Sequence, residues 1–301
     1  LFDGARVKER TVDEVLSAMR ATPEVDYLYL PGNHDEAASA FHDRNLPENL
    51  KCFGNTWKTY CYDTAAISGR TLGSGDERLY EELPILDGHV NLVTLHGQLA
   101  TACGEDQINR KLLEHRGIDY LALGHIHSYS LQRLDEKGLL CYSGCLEGRG
   151  FDECGKKGFV LLTVENGRVE PEFVPFSCRT LHRVETDVTG CVKNAEIAAR
   201  VKEASRGIPP DDMAEFLLTG EVSPEADISV AYLQHQLAGS YFFAKVKDET
   251  KLAIDPETYR NDVSLKGEFI RQVLGSDLPE RDKAAIIRAG VSALAGEDVS
   301  L

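Results

Sequence analysis

The chain lacks what several functional classes need. None of its eight cysteines (52, 61, 103, 141, 145, 154, 178 and 191) forms a C-x-x-C pair, and their spacing outlines no small disulfide scaffold. Reduced, mostly buried thiols of a cytoplasmic protein are the expectation, and Cys141, Cys145 and Cys154 lack the paired spacing of a zinc site. No apolar run approaches the roughly 18 residues of a membrane span. The longest, 90–95, has the length of a strand. Basic charge is scarce: 33 Lys and Arg stand against 49 Asp and Glu, a net charge of −16. That excludes a protein that holds nucleic acid by a broad basic surface alone, although bound metal ions can supply positive charge locally. The first residues do not read as a signal peptide.

What is present is ordinary globular material. The 301 residues are 42% hydrophobic and 27% charged, enough for about two domains with a sizeable core. Helix and strand alternate in the first half, the rhythm of an α/β domain. Thr11-Val12-Asp13-Glu14 reads as a capping box ahead of an apolar stripe through Val12, Val15, Leu16 and Met19. Strands are expected over 25–30, 50–53, 57–62, 65–68, 90–95 and 120–123, and helices over 36–43 and 108–115. Asp135-Glu136-Lys137-Gly138 and Asn166-Gly167 mark hairpins. A second region begins near Cys178, with strands at 184–188 and 241–246 and helices at 195–204, 228–237, 269–274 and 284–294.

Polar ligand chemistry concentrates in three short segments, each after an expected strand: Gly32-Asn33-His34-Asp35, Leu95-His96-Gly97-Gln98 and Gly124-His125-Ile126-His127. Ligands of open α/β sheets gather beyond the carboxyl ends of strands. His125 and His127 are two apart, so in extended backbone both rings point the same way. Neutral imidazole suits borderline transition metals, and Asn33 adds a carbonyl oxygen. His34 and Asp35 have the form of an acid with its orienting carboxylate. A single such segment is weak evidence of a site. Three together point to one shared centre.

These segments resemble the third, fourth and fifth motifs of the calcineurin-like metallophosphoesterases. The first motif of that family, Asp-x-His, and the second, Gly-Asp-x-x-Asp, are not present in full. Leu1-Phe2-Asp3 resembles the tail of the second, and the expectation is an N-terminally truncated fragment of an active parent, itself weak in metal binding. The run from Tyr142 to Gly158 and the stretch Ser264-Leu265-Lys266-Gly267-Glu268-Phe269-Ile270-Arg271 are similar to the DNA-repair exonuclease branch, the SbcD and YhaO type.

The resemblance implies an α/β, four-layer α/β/β/α sandwich over 1–177 and a smaller α+β capping region over 178–301. It implies two divalent ions, most commonly Mn²⁺, with Asn33, His96 and His125 on one and His127 on the other. His34 would act on the leaving oxygen, oriented by Asp35. DNA ends, a coiled-coil ATPase of the SbcC type and a second copy of the chain are the implied partners. Arg149, Lys156, Lys157, Lys266 and Arg271 are candidate phosphate contacts, although basic side chains on loops and helices are more often simply solvated. A phosphatase or cyclic-nucleotide phosphodiesterase on the same scaffold is the rival enzyme. A non-catalytic interaction protein is the rival of another class.

Overall fold

The structure is a computed structural model that describes residues 7–33, 35, 41, 44–73, 77–104, 106–224, 226–253 and 256–296. The helix expected over 36–43 falls almost entirely outside them. The chain divides into two compact units, one of Leu1–Glu147 with Lys157–Cys178, the other of Gly148–Lys156 with Arg179–Leu301. The loop 148–156 therefore groups with the second unit. The class is α/β, as expected.

In the first unit, α1 (Glu9–Arg20) buries Val12, Leu16 and Met19. Their spacing puts them on one helical face, where they pack with Leu50 and Phe41, with Tyr27, Tyr29 and Cys52 alongside. The expected capping box is not used. The helix begins before Thr11, whose backbone N–H donates to Lys8 O at 2.9 Å, and Lys8 makes no side-chain cap. Strand β1 (Tyr27–Tyr29) runs parallel to β2 (Leu50–Cys52).

The main sheet has six strands. β3 (Lys58–Tyr62) and β4 (Ala65–Gly69) form a hairpin at one edge. After the short helix α2 (Arg78–Glu81) comes β5 (Val90–His96), then the small parallel pair β6 (Gln98–Ala100) and β7 (Gln107–Asn109). The sheet continues with β8 (Tyr120–Gly124), β9 (Ser130–Arg133) and β10 (Leu139–Tyr142), in the order β3-β4-β5-β8-β10-β9. Strands β4, β5, β8 and β10 are mutually parallel. Alternation divides their side chains between two cores. Val93, Leu95, Leu121, Leu123, Leu140 and Tyr142 pack with Leu79, Tyr80, Ile108, Leu113 and Ile118. Leu92, Tyr120 and Cys141 face the other way, against Val160, Leu162, Val164 and Val169. Those last residues belong to the hairpin of β11 (Gly158–Glu165) and β12 (Arg168–Pro175). Its turn residues, Asn166 (φ 51°) and Gly167 (φ 73°), both take the left-handed conformation that a two-residue hairpin turn requires.

The segment 108–115 is not a helix. It forms the end of β7 and one 3-10 turn, Arg110–Leu112, and His115 (φ 60°) and Gly117 (φ 84°) close it. Ile108 and Leu113 are both fully buried, so their apolar spacing reflects anchoring of a loop rather than a helical stripe.

In the second unit, β13 (Leu181–Asp187), β14 (Met213–Thr219) and β16 (Phe243–Asp248) form a parallel sheet in that order, with α3 (Asn194–Ala204) and α4 (Val230–Leu237) in the two connections. A minor parallel pair, β15 (Glu221–Val222) and β17 (Lys251–Leu252), follows β14 and β16 respectively. Ile197, Val201, Phe216, Leu218, Leu233 and Val246 form the core. Helices α5 (Pro256–Arg260), α6 (Leu265–Leu274) and α7 (Glu280–Ala295) follow, with a core of Ile270, Ile287 and Val291.

Central strand β14 carries a buried carboxylate, Glu215, which is 1% exposed. Arg183 Nη2 on β13 lies 2.9 Å from it and Lys247 Nζ on β16 lies 2.8 Å from it. Burial raises its pKa, but the hydrogen bonds from Lys247 and Arg183 outweigh this and hold the carboxyl below its ordinary value. A depressed folded-state pKa contributes stability that is present above the ordinary value of 4.5 and lost as pH falls through the folded value. Glu215→Gln is therefore expected to cost about 1–3 kcal/mol at pH 7. Denaturant titrations of both proteins should converge as pH drops below the carboxylate range; a constant gap would refute the ion-pair account.

Candidate metal centre

The register of the main sheet pairs His96 with Gly124, so the carboxyl ends of β5 and β8 lie side by side. His96 is the last residue of β5, and His125 follows the last residue of β8. The two imidazoles meet edge to face, with centroids 5.4 Å apart at 89°. The turn after β1 brings in Asn33. Its Oδ1 accepts from His96 Nε2 at 3.0 Å, and its Nδ2 donates to Asp106 Oδ2 at 3.4 Å.

Two glycines make room for His96. A Cβ on Gly32 would stand 2.5 Å from His96 Cε1, and one on Gly124 would stand 2.6 Å from His96 Nδ1. Real Cβ atoms do not approach so closely, so a side chain at either position would displace the ring. Gly124→Ala is expected to tilt the imidazole and weaken Mn²⁺ binding at least about tenfold, with the circular dichroism spectrum retained. Calorimetric titration checks this, and unchanged affinity would mean that His96 does not need its present position.

The electrostatics suit a ligand. Burial lowers the His96 pKa first, and the neighbouring His125 lowers it further, against the opposing pull of Asp106 and Asp35. The ring is thus held neutral, with a lone pair available. Asp35 accepts the Gly32 N–H at 3.1 Å and so closes the turn that carries Asn33. Burial and the Asp35 carboxylate push the Tyr29 phenol above its usual value, so it stays protonated. Tyr142 ties down the second loop: its hydroxyl donates to Gly97 O at 2.9 Å and accepts from Leu99 N at 3.1 Å.

The donor set fits a hard or borderline cation. With the imidazole proton moved to Nδ1, His96 Nε2 and Asn33 Oδ1, 3.0 Å apart, would have the spacing of neighbouring ligands of an octahedral ion with bonds of about 2.1 Å.

Of the expected site residues, Asn33, His96 and His125 converge. His34 lies outside the described residues. The path of the chain to His127 differs from the extended backbone expected. β8 ends at Gly124, and His125 adopts φ 96°, so the backbone is not extended between the two histidines and simple alternation does not set their rings. The His127 carbonyl accepts from Lys157 Nζ at 2.7 Å and from the Cys145 thiol at 3.5 Å. Lys157, expected as a phosphate contact, is 2% exposed and committed to that carbonyl. Among the other candidates, the Arg149 N–H donates to Glu153 at 2.9 Å, and Lys156 is exposed. Lys266 Nζ lies 6.0 Å from the Tyr259 ring centroid, and Arg271 donates to Asp262 O at 2.7 Å and to Glu268. Arg271 thus serves local structure around α6. Asp106 and Tyr142 are parts of the centre that motif spacing did not signal.

Residues 1–129 match the family model of the calcineurin-like phosphoesterases. A 156-residue stretch is 29% identical to the uncharacterized metallophosphoesterase YhaO of Bacillus subtilis (strain 168), over 47% of this chain and 38% of that protein. The chain thus aligns with well under half the length of that relative. Over the matched stretches the chain is similar to calcineurin-like metallophosphoesterases. The matched region holds Asn33, His96, His125 and His127. Among the described residues no helix is long and apolar enough to cross a membrane.

Proposed function

We propose that this protein is a metallophosphoesterase, a DNA-repair exonuclease subunit that hydrolyses phosphodiesters at DNA ends. The observation that carries the reading is the convergence of Asn33, His96 and His125 beyond neighbouring strand ends. In this reading they hold one divalent ion and His127 helps hold a second, Mn²⁺ being the ion of choice. Such a pair of ions lowers the pKa of bound water and neutralises charge on the phosphate. That local positive charge answers the net charge of −16.

The chain's own residues prepare the site. Asp106 fixes the Asn33 amide so that its oxygen faces His96, the kind of outer contact that keeps a ligand in register. Burial keeps His96 neutral. Asp35 shapes the turn bearing His34, to which we assign the leaving oxygen's proton. A coiled-coil ATPase of the SbcC type, a second copy of the chain and a cytoplasmic setting complete the proposal.

The test is Mn²⁺-dependent release of nucleotides from end-labelled duplex DNA by the full-length gene product, alongside p-nitrophenyl phosphate and cyclic nucleotides. Progressive shortening from the ends supports the reading. Turnover of the small esters alone would replace it with a phosphatase or cyclic phosphodiesterase, and no turnover with an interaction protein.

A further inference from the structure

We infer that Lys157 is a positioning residue, which sets His127 by holding its carbonyl oxygen; the inference deepens the proposed function and rests on His127 being a ligand. Three features of one segment converge on that oxygen. Lys157 Nζ donates to it at 2.7 Å and the Cys145 thiol at 3.5 Å. Gly144, at φ 78°, brings its own backbone so near that a Cβ there would stand 3.2 Å from it.

The holder is itself fixed. The Lys157 carbonyl accepts from Phe176 N at 2.9 Å and from Ser177 N at 3.2 Å, and Gly158 N donates to Cys145 O at 3.0 Å. The first two tie the start of β11 to the segment just past β12, and the third ties it to the loop after β10. What they hold needs holding. Residues 125–127 lie beyond the end of β8, and His125 enters them with a positive φ.

A lysine is an expensive choice for packing alone. Its ammonium is almost completely buried, and a buried charge costs stability unless its contacts return something. A methionine would fill similar space without that cost. The return we identify is direction: a charge-assisted hydrogen bond is shorter and more directional than a neutral one. It fixes the peptide after His127 and hence the exit of its imidazole.

The test uses the full-length protein and two variants, Lys157→Met, which removes the donor, and Lys157→Gln, which retains one. Long-range ¹H–¹⁵N imidazole spectra of the metal-free proteins, with His127 assigned through His127→Gln, should show the His127 signals displaced in Lys157→Met and partly restored in Lys157→Gln. The exposed His115 should be unchanged. Titration with Mn²⁺ should show one ion bound as in the wild type and the other at least about tenfold more weakly. In turnover, kcat should fall with KM unchanged. The melting temperature of Lys157→Met should be kept or raised. Unmoved His127 signals, equal affinity for both ions, or failure of both variants to fold would overturn the assignment. If the wild type binds no Mn²⁺, the proposed function fails, and the metal-free spectra still decide whether Lys157 positions His127.

Discussion

His96→Ala is expected to reduce the proposed Mn²⁺-dependent phosphodiester hydrolysis by about a thousandfold, roughly 4 kcal/mol of transition-state stabilisation, while the protein stays folded. The size follows from where the ring sits. His96 contacts Asn33, stands edge to face with His125, and occupies the space left by Gly32 and Gly124. Removing it leaves Asn33 Oδ1 and His125 without their common neighbour, so a loss at one ligand spreads to the whole centre. The fold should tolerate the change because the ring lies at the end of β5 rather than in the core built by Val93 and Leu95. Activity is measured on end-labelled duplex at saturating Mn²⁺, and folding by near-ultraviolet circular dichroism. A variant within tenfold of the wild type would remove His96 from the chemistry. An unfolded variant would show that its role is structural.

The sequence displayed the parts of this site that depend on composition and hid those that depend on backbone. Strands β5 and β8 were legible because both of their faces are buried, which leaves near-continuous apolar runs. The turn at Asn166-Gly167 was legible because left-handed residues there are chemically specified. Strand β14 was not legible: Glu215 interrupts its apolar run, and only the cations of the flanking strands make that carboxylate tolerable. The stretch 108–115 misled because Ile108, Leu112 and Leu113 mimic helical spacing while anchoring a loop. The candidate ligand-bearing segments could be found from residue types alone, but the left-handed turn at His125 could not, since no glycine announces it. Lys157 read as a surface cation because nothing local distinguishes a solvated lysine from one whose ammonium is buried against a carbonyl thirty positions away.

That turn at His125 gives a test in which stability and activity move apart. A non-glycine residue at φ 96° carries backbone strain that glycine does not. The strain is on the order of 1–2 kcal/mol, and a glycine there returns up to about 1 kcal/mol of the gain to the unfolded chain. His125→Gly should therefore be as stable as the wild type or up to about 1 kcal/mol more stable, yet lose about a thousandfold in Mn²⁺-dependent hydrolysis. His125→Ala separates the two contributions. It loses the imidazole equally but keeps a Cβ at the strained position, so it should melt about 2–4 °C below His125→Gly and be just as inactive. Strain retained at a position where a glycine would fold at least as well implies that the side chain is kept for its imidazole. Equal melting temperatures for the two variants would show that the turn is not strained. A His125→Gly protein that still hydrolyses the duplex would separate the turn from the chemistry altogether.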